Sequence, residues 1–512
     1  MKSKSVLCLL STICALTVIT IQSVNAASKD KPNVIIICAN DLGKGMLSAY
    51  GQKHFTTPNI DLLINGGVSF SHAYGGSTST YGRVSLFTGY FDCRKNLWRF
   101  NRGGVYARED TSFIEQNEKS LNENNILLPA NDLYLPQVFN KAGYITGEIG
   151  VIEWGHSSSR LQVEQHGWDY YYGFLDHSRA RGMYPPFIFE NGQTVRLEGN
   201  TRADCGMNYE PETEQTEKLR HDTTGKKTYA PDLFINKTLE FIREFKNNSF
   251  FLMYNANLPA QISIPAVHPE IAGNEALSPL EKEYASMVKL LDDQVGKILS
   301  ELRTLGIEDK TLIIFTSDNG HEIYYQQDGR VSKPYGDKRS GERFDNSYFK
   351  FYSDRVGDIF NGNAGLAGIK ESNLEGGIVV PLTYYWKGVL HSRVSDEFTA
   401  ACDLLPTMAE LTGVKLESSK DGISYLKTVT KGAKLPKNRH IVISSDEGPV
   451  LLTNEGWKLR YFRPKSKFEL YNVRKDPQEK YDVILKNPQI AADLEQILLK
   501  ELNGSIENGV AY

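Results

Sequence analysis

Asn33 to Ala39 forms a continuous apolar, β-branched run after Lys31-Pro32. A strand with one wet face alternates apolar and polar positions, so an unbroken run of this length predicts a strand buried on both faces of a parallel sheet. Similar short runs recur at Tyr144 to Ile149, Phe250 to Tyr254 and Thr311 to Thr316, with helical periodicity between them. The clearest helix opens at Ser278, with Pro279 in first position and Glu281 completing a capping box. It places Met287, Leu290, Leu291, Ile298 and Leu302 on one face before Gly306. Strands alternating with helices predict an α/β architecture, a mixed and mostly parallel central sheet flanked by helices.

From Ile441 the pattern changes to short alternating strands. Val450 to Leu452 and Trp457 to Phe462 flank Asn454-Glu455-Gly456, which reads as a hairpin. Phe468 to Val473 adds a strand and Pro488 to Leu502 a closing helix. Three segments are expected: 1–26 as a signal peptide, 27–440 as the main domain, and 441–512 as a small antiparallel sheet plus helix. The polar stretch from Glu322 to Asp358 is too long for a plain connection and reads as a surface insertion near the functional site.

Composition narrows the setting. With 58 Lys+Arg against 62 Asp+Glu, the chain lacks the basic excess of a nucleic-acid binder. Lys2 and Lys4, the apolar run Val6 to Ile21, and Val24-Asn25-Ala26 give the three regions of a secretory signal. Cleavage after Ala26, export to the periplasm or beyond, and no stable membrane span afterwards are expected. Cys38 and Cys402 read as buried thiols, whereas Cys93 and Cys205 lie in polar segments and are candidates for pairing in an oxidising compartment.

Candidate chemistry begins at the strand ends. Asn40-Asp41 follows the first strand and Asp318-Asn319 another, where an α/β sheet gathers its ligands. Four oxygen donors without histidine suit a hard cation, calcium ahead of magnesium. Either pair alone reads equally as Asx residues capping a turn.

The stretch Ser79-Thr80-Tyr81-Gly82-Arg83, followed by Leu86, Thr88 and Gly89, resembles the sulfatase signature, with Tyr81 where the family has proline. Phe315 to Gly320 is similar to the family's Phe-Thr-Ser-Asp-Asn-Gly, and Asn33 to Gly51 resembles its opening, with Asn40 in place of the first aspartate. Glu375-Gly376-Gly377-Ile378 and Asp403-Leu404-Leu405-Pro406 follow in the family's order. The resemblance implies the alkaline phosphatase-like fold and a sulfuric ester hydrolase acting on a sulfated carbohydrate or aryl sulfate. It implies Ser79 as the residue oxidised to formylglycine (3-oxoalanine), Arg83 and Lys370 as groups touching sulfate, and Asn40, Asp41, Asp318 and Asn319 as calcium ligands. His321 falls close to a histidine that many relatives carry and is the candidate leaving-group acid.

Two further motifs depart from the family. Its Gly-Lys-Trp-His reads Gly150-Val151-Ile152-Glu153 here, and its Pro-His reads Pro259-Ala260, which removes one lysine and two histidines. A carboxylate at Glu153 beside the site is expected to repel sulfate or to act as a base. A non-hydrolysing binder of sulfated glycans, and a phosphate or phosphonate esterase using unmodified Ser79, therefore stand beside the sulfatase reading.

Overall fold

The computed structural model describes residues 31–99, 111–154, 157–176, 183–201, 213–260, 263–323, 331–332, 336–337, 352 and 357–511. The signal segment, Cys205 and most of the 322–358 stretch lie outside the described residues. The main sheet is built from β1 (Asn33–Asn40), β2 (Val68–Tyr74), β3 (Ile145–Val151), β4 (Tyr170–Phe174), β5 (Phe187–Glu190), β6 (Gln193–Arg196), β7 (Phe250–Pro259) and β8 (Thr311–Ser317). After a two-residue pairing of β9 (Val331–Ser332) with β10 (Gly336–Asp337), β11 (Leu382–Tyr385) and β12 (Arg393–Ala400) complete it. The order is β12-β2-β11-β8-β1-β7-β3-β4-β5-β6. β1 sits at the centre, parallel to both β7 and β8, while β11, β5 and β6 run antiparallel to their neighbours.

The continuous apolar run of β1 follows from this place. Ile35, Ile37 and Ala39 pack into one core layer with the helices Ala230–Phe245 and Pro279–Thr304. Val34, Ile36 and Cys38 pack into the opposite layer with the helices Ser79–Thr88 and Leu404–Thr412. Burying one such aliphatic side chain contributes about 1.5–3 kcal/mol, so a strand apolar on both faces belongs in the middle of a covered sheet.

Pro279–Thr304 is the helix its cap predicts. Ser278 Oγ accepts from the Glu281 amide at 3.3 Å, and Glu281 Oε2 accepts from the Ser278 amide at 3.1 Å. β3 and β7 run beyond their apolar stretches, because the polar Asn255 opposite Gly150 and Cys38 hides strand character that backbone pairing supplies.

The C-terminal antiparallel sheet is present as β13 (His440–Ile443), β14 (Val450–Thr453), β15 (Trp457–Phe462) and β16 (Lys467–Asn472), closed by the helix Pro488–Glu501. Its apolar face shares a core with Tyr74, Ile378 and Phe398 of the main domain. Cys38, Cys93 and Cys402 are buried free thiols. No helix among the described residues is long and apolar enough to cross a membrane.

Candidate active site

β1 and β8 pair with Ala39 opposite Ser317, so the residues that leave these strands emerge side by side. Asn40 and Asp41 thereby meet Asp318 and Asn319. Asp41 takes a left-handed backbone conformation, φ +63°, which costs a non-glycine residue of order 1 kcal/mol or more. Asp318 Oδ1 offsets this by accepting the amides of Asp41 and Asn319, both at 2.9 Å.

The helix Ser79–Thr88 points its first turn at the same place and is buried along its whole length. Gly76 N–H donates to the Asp318 carbonyl at 2.9 Å. Gly82 then has to be glycine, because a Cβ there would stand 2.0 Å from that carbonyl. The close seating brings Ser79 Oγ to 3.2 Å from Asn40 Oδ1, 3.3 Å from Asp41 Oδ1 and 3.2 Å from Asn319 Oδ1.

A hydroxyl has one proton to give, so at most one of these three oxygens receives it. The others face electronegative oxygen in a buried place, an arrangement that a small hard cation resolves. The residues therefore fit the metal that the resemblance implies, with Asn40, Asp41 and Asn319 converging. Asp318 stands behind them, its carboxylate holding amides and Arg83. Only two of the four are acidic, and among the described residues no group of three or more His, Cys, Asp or Glu side chains converges on a metal position.

Arg83 lies one turn into the helix and is wholly buried. Its Nε and Nη2 donate to Asp318 Oδ2 at 3.2 and 3.1 Å, and Nη1 donates to the Val151 carbonyl at 3.1 Å. Burial opposes the guanidinium charge, but Asp318, Cys38 and Glu148 around it hold its pKa above the usual arginine value. Burial raises the Asp318 carboxyl, and Arg83 opposes that shift.

Lys370 Nζ lies 2.8 Å from Asp41 Oδ2 with its side chain 14% exposed. Burial works against this charge too, yet Asp41 and Glu322 keep the pKa above that of an ordinary lysine, so the ammonium stays charged at neutral pH. Three convergent oxygens thus meet a hydroxyl at a helix N-terminus, where unpaired N–H groups favour an anion, and the two carboxylates beside it, Asp318 and Asp41, each hold a cation.

His321 is placed differently from the role expected of it. Its amide and carbonyl bond Gly376 and Lys370, but its fully buried ring packs against Gly362 and Gly43, near Tyr284. Neither ring nitrogen makes a hydrogen bond among the described residues, and the nearby carboxylate, Asp358 Oδ2, lies 3.6 Å away. Among the described residues the ring makes no hydrogen bond to Ser79.

Glu153 also differs from expectation. Its carboxylate is buried, with Oε2 2.5 Å from His166 Nδ1 and Oε1 accepting from Trp168 Nε1 at 2.7 Å. It neither faces an anion nor serves as a free base. Tyr81, in the place of proline, packs edge-on against Trp98 in the core. Val151 and Ala260 are buried, and Val151 supplies a carbonyl to Arg83 in place of a charge to substrate.

Two contributors went unread in the sequence. Gly82 was visible only as a glycine inside a helical stretch. Glu148 accepts from Asn255 Nδ2 at 2.7 Å beneath Arg83, and burial together with Glu153 pushes its carboxyl well above the usual range. No local signal marked it.

Known proteins resemble this chain in sequence and in fold. N-acetylgalactosamine-6-O-sulfatase of Bacteroides thetaiotaomicron is 26% identical, over 93% of this chain and 94% of that protein. A B. thetaiotaomicron structure from work on the metabolism of multiple glycosaminoglycans superposes with TM-score 0.69 at 22% identity, covering 93% of this chain and 100% of its own. The complex of Ps i-CgsB with k-i-k-neocarrahexaose superposes with TM-score 0.66 at 23% identity, covering 92% and 93%. The family model described as Sulfatase matches residues 32–414, and with the signature helix, the paired strand ends and the mixed sheet all in place, the chain belongs to the sulfatase family.

Proposed function

We propose that this protein hydrolyses a sulfate ester on a glycan, with residue 79 as nucleophile in its formylglycine form and calcium as the cation, after export from the cytoplasm. The observation that carries this is the convergence of Asn40, Asp41 and Asn319 oxygens on Ser79, flanked by Arg83 and Lys370. The relative named N-acetylgalactosamine-6-O-sulfatase supports a sulfated amino sugar as the substrate class.

Oxidised to an aldehyde and hydrated, the side chain of residue 79 supplies two oxygens, one for the metal and one for attack on sulfur. Asn40, Asp41 and Asn319 would hold calcium, with Asp318 behind them fixing their backbone, and the ion would supply fixed positive charge beside that nucleophile. Arg83 fixes Asp318 and, through it, the amides of Asp41 and Asn319, so the ligand set is ordered before substrate arrives. Lys370 has three N–H donors, one directed at Asp41, and stands where charge develops on the sulfate and the leaving oxygen. There it would stabilise that charge by hydrogen bonding and electrostatics.

A second reading is favoured by a specific observation. Val151, the satisfied Glu153 and Ala260 leave the site without the family's lysine and both histidines, which suits a protein that binds sulfated glycan without turnover. The mass of the tryptic peptide His54–Arg83, from protein made in the native host, separates the two. The hydrolase reading expects a peptide lighter by the two hydrogens lost when an alcohol becomes an aldehyde. An unmodified serine throughout contradicts it.

A further inference from the structure

The active-site loops are tied to the C-terminal sheet by the Asn373 side-chain amide, which donates to the Gly448 and Tyr461 carbonyls at 2.9 and 3.0 Å, by Ser77 Oγ, which donates to the Ser444 carbonyl at 2.7 Å, and by a buried lysine. Lys458 on β15 is fully enclosed, with Nζ 2.9 Å from Glu375 Oε1 and 3.0 Å from Glu479 Oε1. Glu479 Oε2 accepts the Glu375 amide at 2.7 Å, and Tyr74 donates to Glu375 Oε2 at 3.1 Å. Lysine and two carboxylates are thus locked together in the seam between the two sheets. A buried ion of this kind is stable only while its partners stay in place.

Glu375 opens the short turn Glu375–Ile378, which holds the segments that follow β8 and β2. The carbonyls of Gly377 and Gly376 accept from Gly320 at 2.9 Å and His321 at 3.2 Å, the two residues after Asn319. The His321 carbonyl accepts from the Lys370 amide at 2.9 Å, and the Ile378 carbonyl accepts from Gly75, four residues before Ser79, at 2.9 Å. There is no slack in these contacts. A Cβ on Gly320 would stand 2.1 Å from the Gly376 carbonyl, and one on Gly376 would stand 2.2 Å from the Gly368 carbonyl.

We propose that Lys458 is a positioning residue: by clamping Glu375 and Glu479 it fixes the 375–378 turn, and through that turn sets Asn319 and Lys370 against Ser79. The proposal rests on these three forming the active site, but its test does not depend on turnover. The C-terminal sheet is on this account part of the functional machinery, since the clamp reaches the site from β15.

Hydrogen exchange of the full-length protein, read by mass spectrometry on peptides, decides it. In Lys458→Met the segments 318–323 and 366–378 should exchange about tenfold faster, while the helix 279–304 keeps its wild-type protection. Glu479→Gln, which keeps an oxygen for the Glu375 amide but loses the charge facing Lys458, should show a smaller acceleration in the same two segments and serves if Lys458→Met does not fold. Unchanged exchange in both segments, or acceleration spread evenly over the chain, overturns the proposal. Where the wild type releases sulfate, kcat of Lys458→Met should also fall about tenfold with KM within twofold, since an ordered transition-state site is lost and not substrate binding. A drop confined to the amount of folded enzyme counts against it.

Discussion

Replacing Arg83 by methionine removes the one guanidinium in contact with Asp318 among the described residues, and the structure sets the size of the effect. Both side chains are fully buried, and Arg83 makes two bonds to Asp318 Oδ2 and a third to the Val151 carbonyl. Methionine fills most of the stem's volume, so the loss is chiefly electrostatic: a carboxylate in the interior without its partner, and a carbonyl without its donor. Breaking a buried pair from one side costs about 3–5 kcal/mol. Neutralising the second partner relieves most of that, so Arg83→Met with Asp318→Asn should be destabilised by less than the sum of the single changes, with a coupling of about 2 kcal/mol or more. Urea unfolding in chelator, followed by tryptophan fluorescence, measures all three variants. Single-variant losses under about 1 kcal/mol, or additivity within about 0.5 kcal/mol, would refute the view that Arg83 acts by fixing Asp318.

Three further outcomes follow from the same geometry. Asn40→Asp should tighten calcium about tenfold by calorimetry, because an added carboxylate raises the ligand charge, and unchanged affinity would show that Asn40 lies outside the ligand set. Glu153→Ala should lower stability by roughly 1–3 kcal/mol through the lost His166 and Trp168 bonds, yet leave affinity for a sulfated glycan within twofold; improved affinity would mean that Glu153 does face the anion. Asp92 is buried under Ser444, and burial pushes its carboxyl up to about 7 from an ordinary 3.8. Its folded-state pKa is raised, so its contribution is present in full below pH about 4 and is lost as pH climbs to about 7, about 4 kcal/mol in all. Asp92→Asn should flatten stability across that window, and an unaltered pH profile would remove Asp92 as its source.

The sequence was most readable where one residue's neighbours along the chain also decide its environment. The apolar run of β1, the capping box at Ser278 and Glu281, and the spacing of Ser79 and Arg83 within one helical turn are local patterns, and each appears in the structure as its pattern implies. That Asn40 and Asp41 meet Asp318 and Asn319 was legible because both pairs end parallel strands that turn out to be adjacent, although Asp318 stands behind the other three. What stayed hidden depends on partners far along the chain. Glu153 reads as a charge at a site position, and its pairing with His166 and Trp168 comes from how the segment after β3 folds over the helix Arg160–Gln165. His321 follows a metal motif, but its ring is captured by Gly362 and Gly43, glycines whose missing side chains make room for it. Lys458 falls within the short alternating strand Trp457–Phe462, where nothing local sets it apart, and only the docking of the C-terminal sheet against Glu375 gives it a role.

The central claim is that chemistry occurs at residue 79. The most direct measurement is sulfate release from an N-acetylgalactosamine-6-sulfate-containing glycan, with calcium present, by the native-host protein and by Ser79→Ala. The account predicts release by the first and none above background by the second, with both proteins equally folded. Release that persists in Ser79→Ala would move the chemistry to another residue and contradict it.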